Sequence, residues 1–302
     1  MKRIIAAVLS AVLLIASAGC DESSQKPTKT PAAYETAKIS YLGPEGTYTQ
    51  EACGKFFGGQ GTYIPYTTVN DAVDALVSGE ADYAVIPQEN TIGGAVTDYL
   101  DVLIAAEDVS VAGEVELPIS QNLLVMPGTE LDDITTVYSH KQGIAQGAEW
   151  LEDNLPDAEV IEVSSTAEGA RMVSEGGDRS CAAIASAGCA DVYGLEILAE
   201  DIQNNDNNRT RFYVLSMADP SRIAADRMVF IAKGSAADLL ELMSNIRNRR
   251  LPLITVHDRP QKTELGEYYY VIECEGGDYE DYRLITENSR FECRFLGSFE
   301  VR

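Results

Sequence analysis

TTVNDAVDALVSGEADYAVIPQEN, residues 67–90, reads as a helix, then a strand, then a polar loop, and it decides the fold class. Thr68 with Asp71 three residues on is a capping-box-like helix start. Val69, Ala72, Val73, Leu76 and Val77 then share one face at helical spacing. Tyr83–Ile86 is a short apolar strand candidate, and Pro87 to Gly94 (PQENTIGG) is the loop at its end. The same alternation extends outward from Lys38 to Met217, with further strand candidates at Ile39–Leu42, Tyr63–Tyr66, Asn122–Met126, Thr136–Tyr138, Glu159–Val163, Ala182–Ala185 and Arg211–Leu215. A second capped helix follows Ser165, over Thr166–Ser174. Strands alternating with amphipathic helices predict an α/β domain with mainly parallel sheets, whose ligand lies at the strand ends.

Composition shifts at Ala218-Asp219-Pro220-Ser221, and beyond it the order becomes strand, helix, strand, strand, short helix, strand. That βαββαβ order predicts a ferredoxin-like α+β domain over residues 222–302, after an α/β domain over 38–217. The other end is different in kind. Lys2 and Arg3 precede an apolar run from Ile4 to Ile15 and then Ala16-Ser17-Ala18-Gly19-Cys20, which resembles a bacterial lipoprotein signal over residues 1–19 with Cys20 as the lipidated residue. The run is shorter than the ~20 apolar residues that span a bilayer. Residues 20–37, rich in Ser, Lys, Thr and Pro, read as a flexible tether. The expectation is an exported chain held at a membrane by its N-terminal lipid and facing the periplasm or extracytoplasmic space.

A formal charge of −25 over 302 residues excludes a nucleic-acid partner and gives no long-range attraction to an anion, so any anion site is local. Apart from Cys20, the cysteines are Cys53, Cys181, Cys189, Cys274 and Cys293, an odd number without metal-ligand spacing. Core thiols are the expectation, with Cys181–Cys189 and Cys274–Cys293 as the pairs nearest in sequence. Two histidines, His140 and His257, and the absence of a Gly-x-Ser-x-Gly turn argue against a serine hydrolase. The Gly-rich GPEGT loop lacks a full phosphate-binding pattern.

Four polar loops form a recognisable set: GPEGT (Gly43 to Thr47), PQENTIGG, YSHKQGIAQ (Tyr138 to Gln146) and NNRTRF (Asn207 to Phe212). With SSTAEGA (Ser164 to Ala170) and CAAIAS (Cys181 to Ser186) in the same order, the stretch from about Ile39 to Leu215 closely resembles prephenate dehydratase. The resemblance implies two α/β subdomains like those of a periplasmic binding protein, with catalysis between them and the chain crossing near residue 115 and returning near 200. It also implies a C-terminal ACT-like domain, a homodimer, no metal or organic cofactor, and prephenate as the small-molecule substrate. Prephenate loses its ring carboxylate as CO2 and its hydroxyl as water in one aromatising step. A cation on the ring carboxylate would favour the ground state, so neutral donors suit this chemistry better.

By the resemblance, Thr210 places its hydroxyl at the leaving oxygen, and Asn90, Ser139 and Gln146 are catalytic donors beside it. Arg211 is expected to hold the side-chain carboxylate as a bidentate fork, with Thr47, Thr91 and Thr166 as lesser substrate contacts. Departures keep the donors: Asn90-Thr91 stands for Asn-Ser, Gln121 for a histidine, and His140-Lys141-Gln142 for His-Pro-Gln. The family's effector motifs depart further, Gly-Ala-Leu becoming Ala237-Asp238-Leu239 and Glu-Ser-Arg-Pro becoming His257-Asp258-Arg259-Pro260, which puts phenylalanine control in doubt. Arogenate is an alternative substrate. A solute-binding lipoprotein that captures an amino acid or aromatic acid without chemistry is the rival reading.

Overall fold

A computed structural model describes residues 34–302, so the apolar run and Cys20 lie outside the described residues. The first lobe is built on β1 (Lys38–Leu42), β2 (Thr62–Tyr66) and β3 (Tyr83–Asn90), which are parallel, with α1 (Tyr48–Phe57) and α2 (Val69–Val77) as crossovers. α2 starts as its sequence requires: the Asp71 amide donates to Thr68 Oγ1 at 3.1 Å, and that hydroxyl donates to the Asp71 carboxylate at 2.7 Å. Val77 departs from the expected face and is 49% exposed, because the buried stripe ends at Leu76. After a two-residue β4 (Gly94–Ala95) and α3 (Thr97–Ala105), β5 (Ser110–Pro118) completes this lobe's outgoing chain.

The chain then crosses into a second lobe. Its strands are β6 (Asn122–Val125), β7 (Thr136–Ser139), β8 (Glu159–Glu162), β9 (Cys181–Ala185) and β10 (Glu196–Ala199), ordered β10-β6-β9-β7-β8. Helices α4 (Lys141–Gln146), α5 (Ala148–Asn154), α6 (Thr166–Gly176) and α7 (Ala187–Tyr193) connect them. The return strand β11 (Arg209–Ser216) inserts between β3 and β5, giving the first sheet the order β2-β1-β3-β11-β5. Both crossing strands run antiparallel to their neighbours, and so do β6 and β10. Each lobe's sheet is mixed rather than mainly parallel in its pairing, because one strand, β11 in the first and β6 in the second, runs against the others: the chain passes out of the first lobe and back into it in opposite senses.

The C-terminal part comprises β12 (Arg227–Ser235), α8 (Leu239–Asn248), β13 (Leu253–Pro260), β14 (Glu267–Glu275), α9 (Tyr279–Thr286) and β15 (Glu292–Phe299). Its antiparallel order β13-β14-β12-β15 is ferredoxin-like. Both faces of this sheet are covered. Met228, Phe230, Ala232, Tyr270, Ile272 and Cys274 pack toward α8 and α9, while Val229, Ile231, Val271, Leu296 and Phe299 join Val111, Tyr213 and Leu215 of the first lobe in one core. The period of two therefore assigns alternate residues of β12 and β14 to the helices and to the neighbouring sheet. Beyond β15, Glu300 and Arg302 exchange backbone hydrogen bonds with Glu114 and Glu116, extending the first sheet past β5.

Two expectations change at the margins. Tyr34 packs edge-on against Phe57 at 5.0 Å and near Tyr83 at 5.8 Å, and Ala37 is buried, so the packed body begins inside the stretch read as tether. An aromatic residue in a polar segment finds apolar area to cover. Cys53, Cys181, Cys189, Cys274 and Cys293 are free thiols, and Cys53, Cys189 and Cys274 are buried.

Candidate active site

A cavity of about 480 Å³ lies between the lobes, at the ends of β1, β3, β7 and β11. The first lobe contributes Thr47, Tyr48 and Thr49 at the start of α1, Asn90 on β3, and Thr97 and Asp98 at the start of α3. The crossing strands and their flanks contribute Ile119, Gln121, Thr210 and Phe212. From the second lobe come His140, Gln142, Gly143, Gln146 and Ser164 to Thr166.

The centre of this arrangement is the register pair Asn90↔Thr210 across β3 and β11. Asn90 Oδ1 accepts the backbone amides of Ile92 at 2.9 Å and Gly93 at 2.8 Å, which fixes which end of the side chain is oxygen. Its amide nitrogen then donates to Thr210 Oγ1 at 2.9 Å and to Asn208 Oδ1 at 2.7 Å, with Arg209 O at 3.2 Å. Thr210 oxygen is thus an acceptor from Asn90, and its own proton is left for the cavity. Asn90 has spent both amide protons inside the protein, so it orients and polarises Thr210 rather than reaching for substrate itself.

Around that pair the donors are neutral. Gln121 Nε2 donates to Gln146 Oε1 at 2.8 Å, which leaves the Gln146 amide free, while Gln121 Oε1 has no protein partner. His140 Nδ1 accepts the Gln142 amide at 3.3 Å as the cap of α4, which leaves Nε2 as the ring nitrogen that can donate. Tyr48 donates its hydroxyl to Ser120 O, and burial pushes that phenol up, keeping it protonated. Among the described residues no Lys or Arg lines the cavity, and Asp98 is the one carboxylate among them. Helices α1 and α6 both begin on the wall. Ser165 caps α6 through the Glu168 amide at 3.0 Å, whereas Thr47 gives its hydroxyl to Leu42 O and makes no side-chain cap on α1. An anion here meets backbone N–H groups and neutral side chains.

Thr210, Asn90, Gln146, Thr47 and Thr166 therefore come together, and three expected residues do not. Ser139 is buried and donates to Ile184 O at 2.7 Å, because a strand residue ahead of the loop faces its sheet neighbour. Thr91 donates to Asn207 O and accepts the Arg209 amide, both at 2.9 Å, tying the two turns behind the cavity. Arg211 is the largest correction. One residue past Thr210, it points to the opposite face of β11, with its guanidinium on Glu273 and Glu89, each at 2.8 Å, and 3.5 Å from Glu114. Sequence reasoning also missed Tyr48, Thr97, Asp98 and the Ser164–Ser165 pair; the signal available was their place at helix starts.

The effector-motif residues sit apart from the cavity. Asp238 pairs with Arg290 at 2.8 Å, Ala237 donates its amide to Ser235 Oγ at 3.3 Å, and Leu239 packs onto the C-terminal core. His257 meets the Tyr99 hydroxyl and lies 3.5 Å from Glu89, and Arg259 grips Asp101 with Nε at 2.7 Å; Asp258 between them is exposed. Among the described residues no group of three His, Cys, Asp or Glu side chains is placed to hold a metal ion, and no helix is long and apolar enough to cross a membrane.

The family model described as Prephenate dehydratase matches residues 39–220. The bifunctional chorismate mutase/prephenate dehydratase of Aquifex aeolicus is 35% identical over 269 residues, covering 87% of this chain and 73% of that protein. The prephenate dehydratase of Arthrobacter aurescens, solved in complex with L-Phe, is 31% identical with a TM-score of 0.77, covering 87% of this chain and 90% of that one. A structure described as GqqA, a quorum-quenching acylase, reaches a TM-score of 0.78 at 22% identity, with coverage of 88% and 98%, which is a likeness of fold alone. Matched by the family model over residues 39–220 and by relatives more than 30% identical over most of its length, the chain belongs to the prephenate dehydratase family.

Proposed function

We propose that this protein converts prephenate to phenylpyruvate, CO2 and water without a cofactor, and that it does so outside the cytoplasm as a lipid-anchored protein. The observation that carries the chemistry is the Asn90 amide on Thr210 Oγ1, which makes that oxygen an acceptor within the protein and leaves its proton available on the wall of a cavity of about 480 Å³. In that reading Thr210 donates to the departing ring hydroxyl as the C–O bond breaks. The electron pair of the ring C–CO2 bond moves into the ring, and the hydroxyl leaves as water with one proton from the site or solvent. Gln146 and the Nε2–H of His140 supply further neutral donors, and the first turns of α1 and α6 meet the carboxylates. The lining of the cavity, which holds no Lys or Arg among the described residues, suits a carboxylate that must depart. A guanidinium beside the ring carboxylate would hold the group that must depart, raising the barrier instead of lowering it.

Incubating the purified chain with prephenate and following phenylpyruvate tests this directly. Turnover without added metal supports the reading, whereas saturable binding of prephenate with no product would favour a solute-binding role. Running arogenate in parallel assigns the side-chain group. The extracytoplasmic part rests on the charged start, the apolar run and Ser17-Ala18-Gly19-Cys20. Labelled fatty acid is expected to enter the protein through Cys20 and to be lost in Cys20→Ser; an unlabelled full-length chain in the cytosol would remove that part alone.

A further inference from the structure

We propose that Glu273 is a positioning residue for this reaction: a carboxylate from the C-terminal domain that locks, from behind, the bulged pair of strands β3 and β11 whose front presents Asn90 and Thr210. The inference rests on the prephenate reading for its catalytic consequence and on geometry for the rest. Glu273 is fully buried, and its alternation along β14 turns it toward the first sheet rather than toward α8 and α9. It accepts four hydrogen bonds: from Arg227 Nη1 at 2.7 Å, Arg211 Nη1 at 2.8 Å, the Tyr213 hydroxyl at 2.6 Å and Gln88 Nε2 at 2.9 Å. Three of those donors stand on β3 and β11, the strands that carry Asn90 and Thr210.

Gln88 is the telling partner. Arg211 pairs with Glu89 and Phe212 with Pro87, so Gln88 is the extra residue of a β-bulge two positions before Asn90. Its side chain is buried, its Oε1 has no partner, and the Glu273 carboxylate is the acceptor for its amide. Its carbonyl accepts the Val96 amide at 2.9 Å, which places the start of α3 at the cavity wall. Bulges hold register only while something pins the extra residue. A one-residue slip of β3 would turn Asn90 away from Thr210 and bring Glu89 toward the cavity.

A merely structural ion cluster would lower stability when cut and leave the chemistry alone. The test therefore uses two single variants of the full protein. Glu273→Gln removes the charge, and Gln88→Leu removes only the bulge contact and keeps the Glu273–Arg211 and Glu273–Arg227 pairs. Assayed well below each variant's own melting temperature, both are expected to lose kcat by about tenfold to a hundredfold with KM within about threefold. Their effects should not add, since one acts through the other. Amide exchange, measured without substrate, should quicken at Asn90, Thr91 and Thr210 ahead of the rest of the first sheet. If Glu273→Gln does not fold, Gln88→Leu carries both measurements. Wild-type kcat in a folded Gln88→Leu, or exchange that quickens evenly over the sheet, would overturn the proposal. An inactive wild-type protein would strike the prephenate reading instead, and the exchange pattern would still decide whether Glu273 positions the strand.

Discussion

The two faces of the β3–β11 pair share a backbone and differ in chemistry. Toward the cavity stand Asn90 and Thr210, in a wall that holds no Lys or Arg among the described residues. Behind them stand Arg211, Arg227, Glu89, Glu114 and Glu273, all within 4 Å of an opposite charge and Glu114 and Glu273 fully buried. One residue step along β11 separates the two worlds. Formal charge in this molecule holds strands and domains in place; neutral hydroxyls and amides face the bond to be broken. An anionic substrate whose carboxylate must leave explains the front, and the need to fix a bulged strand explains the back.

The largest effect should come from the front. Thr210→Ala is expected to cut kcat by about a hundredfold to a thousandfold while substrate affinity stays within about tenfold, because the lost hydrogen bond is made mainly in the transition state. Thr210→Ser keeps the hydroxyl and should retain more activity. Steady-state kinetics on both variants decide it; a Thr210→Ala protein with wild-type turnover would dissolve the division between the faces.

At the back, the count of charges makes its own prediction. Glu114 is fully buried between Arg211 at 3.5 Å and Arg227 at 3.7 Å, and neither of its oxygens has a hydrogen-bond partner. Burial first, and then the neighbouring Glu273 charge, push its carboxyl up from 4.5 to about 7. Glu273 goes the other way: burial opposes its charge, but Arg211, Tyr213, Arg227 and Gln88 together hold it below its ordinary value. A raised carboxyl means that the native state keeps a proton which the unfolded chain releases between 4.5 and about 7. Its share of stability is therefore full on the acid side, falls as pH rises through that window, and is flat above it. Glu114→Gln mimics the protonated form. It should melt with the wild type near pH 5 and above it near pH 8, by about 1–3 kcal/mol of stability or a few degrees. Equal melting temperatures at both pH values would show that Glu114 holds no such proton.

How much of this was legible in the sequence depended on whether a residue's partner was local. The helix begun by Thr68 and Asp71 and the βαββαβ order carry their signals within a few residues, and the Asn90 and Thr210 loops carried theirs through resemblance. The end of β3 reads as a loop because Pro87, Gln88 and Glu89 look like turn residues; the stretch is strand because β11 returns from the second lobe to pair with Pro87 and Glu89 on either side of the bulged Gln88. β5 has no clear strand signal of its own for the same cause. Glu114 in its middle reads as a solvated face, and only the arrival of Arg227 and Glu273 from the C-terminal domain gives that carboxyl a buried place. The guanidinium of Arg211 suggests a fork for the substrate carboxylate, but the period of two along β11 turns it away from the face that carries Thr210.

The smallest expected effect concerns the C-terminal domain, which can hold the catalytic strands without sensing anything. At the positions where relatives carry effector motifs, His257 and Arg259 are engaged with Tyr99, Glu89 and Asp101 of the first lobe. Asp238 brings a carboxylate to the other motif, and its partner Arg290 is largely exposed, so the pair is weak and the negative charge persists. An amino acid's own carboxylate would be opposed there. Because an effector shifts an equilibrium only through its differential affinity for two states, poor binding means little inhibition. Millimolar phenylalanine is expected to change the rate by less than about twofold, and calorimetry should show no saturable heat. Asp238→Ala sharpens the point, since removing the charge should improve binding if the surrounding pocket is otherwise intact. Saturable binding by the unaltered protein with strong loss of activity would mean that this domain both senses and holds, and that the two altered motifs still form a working pocket.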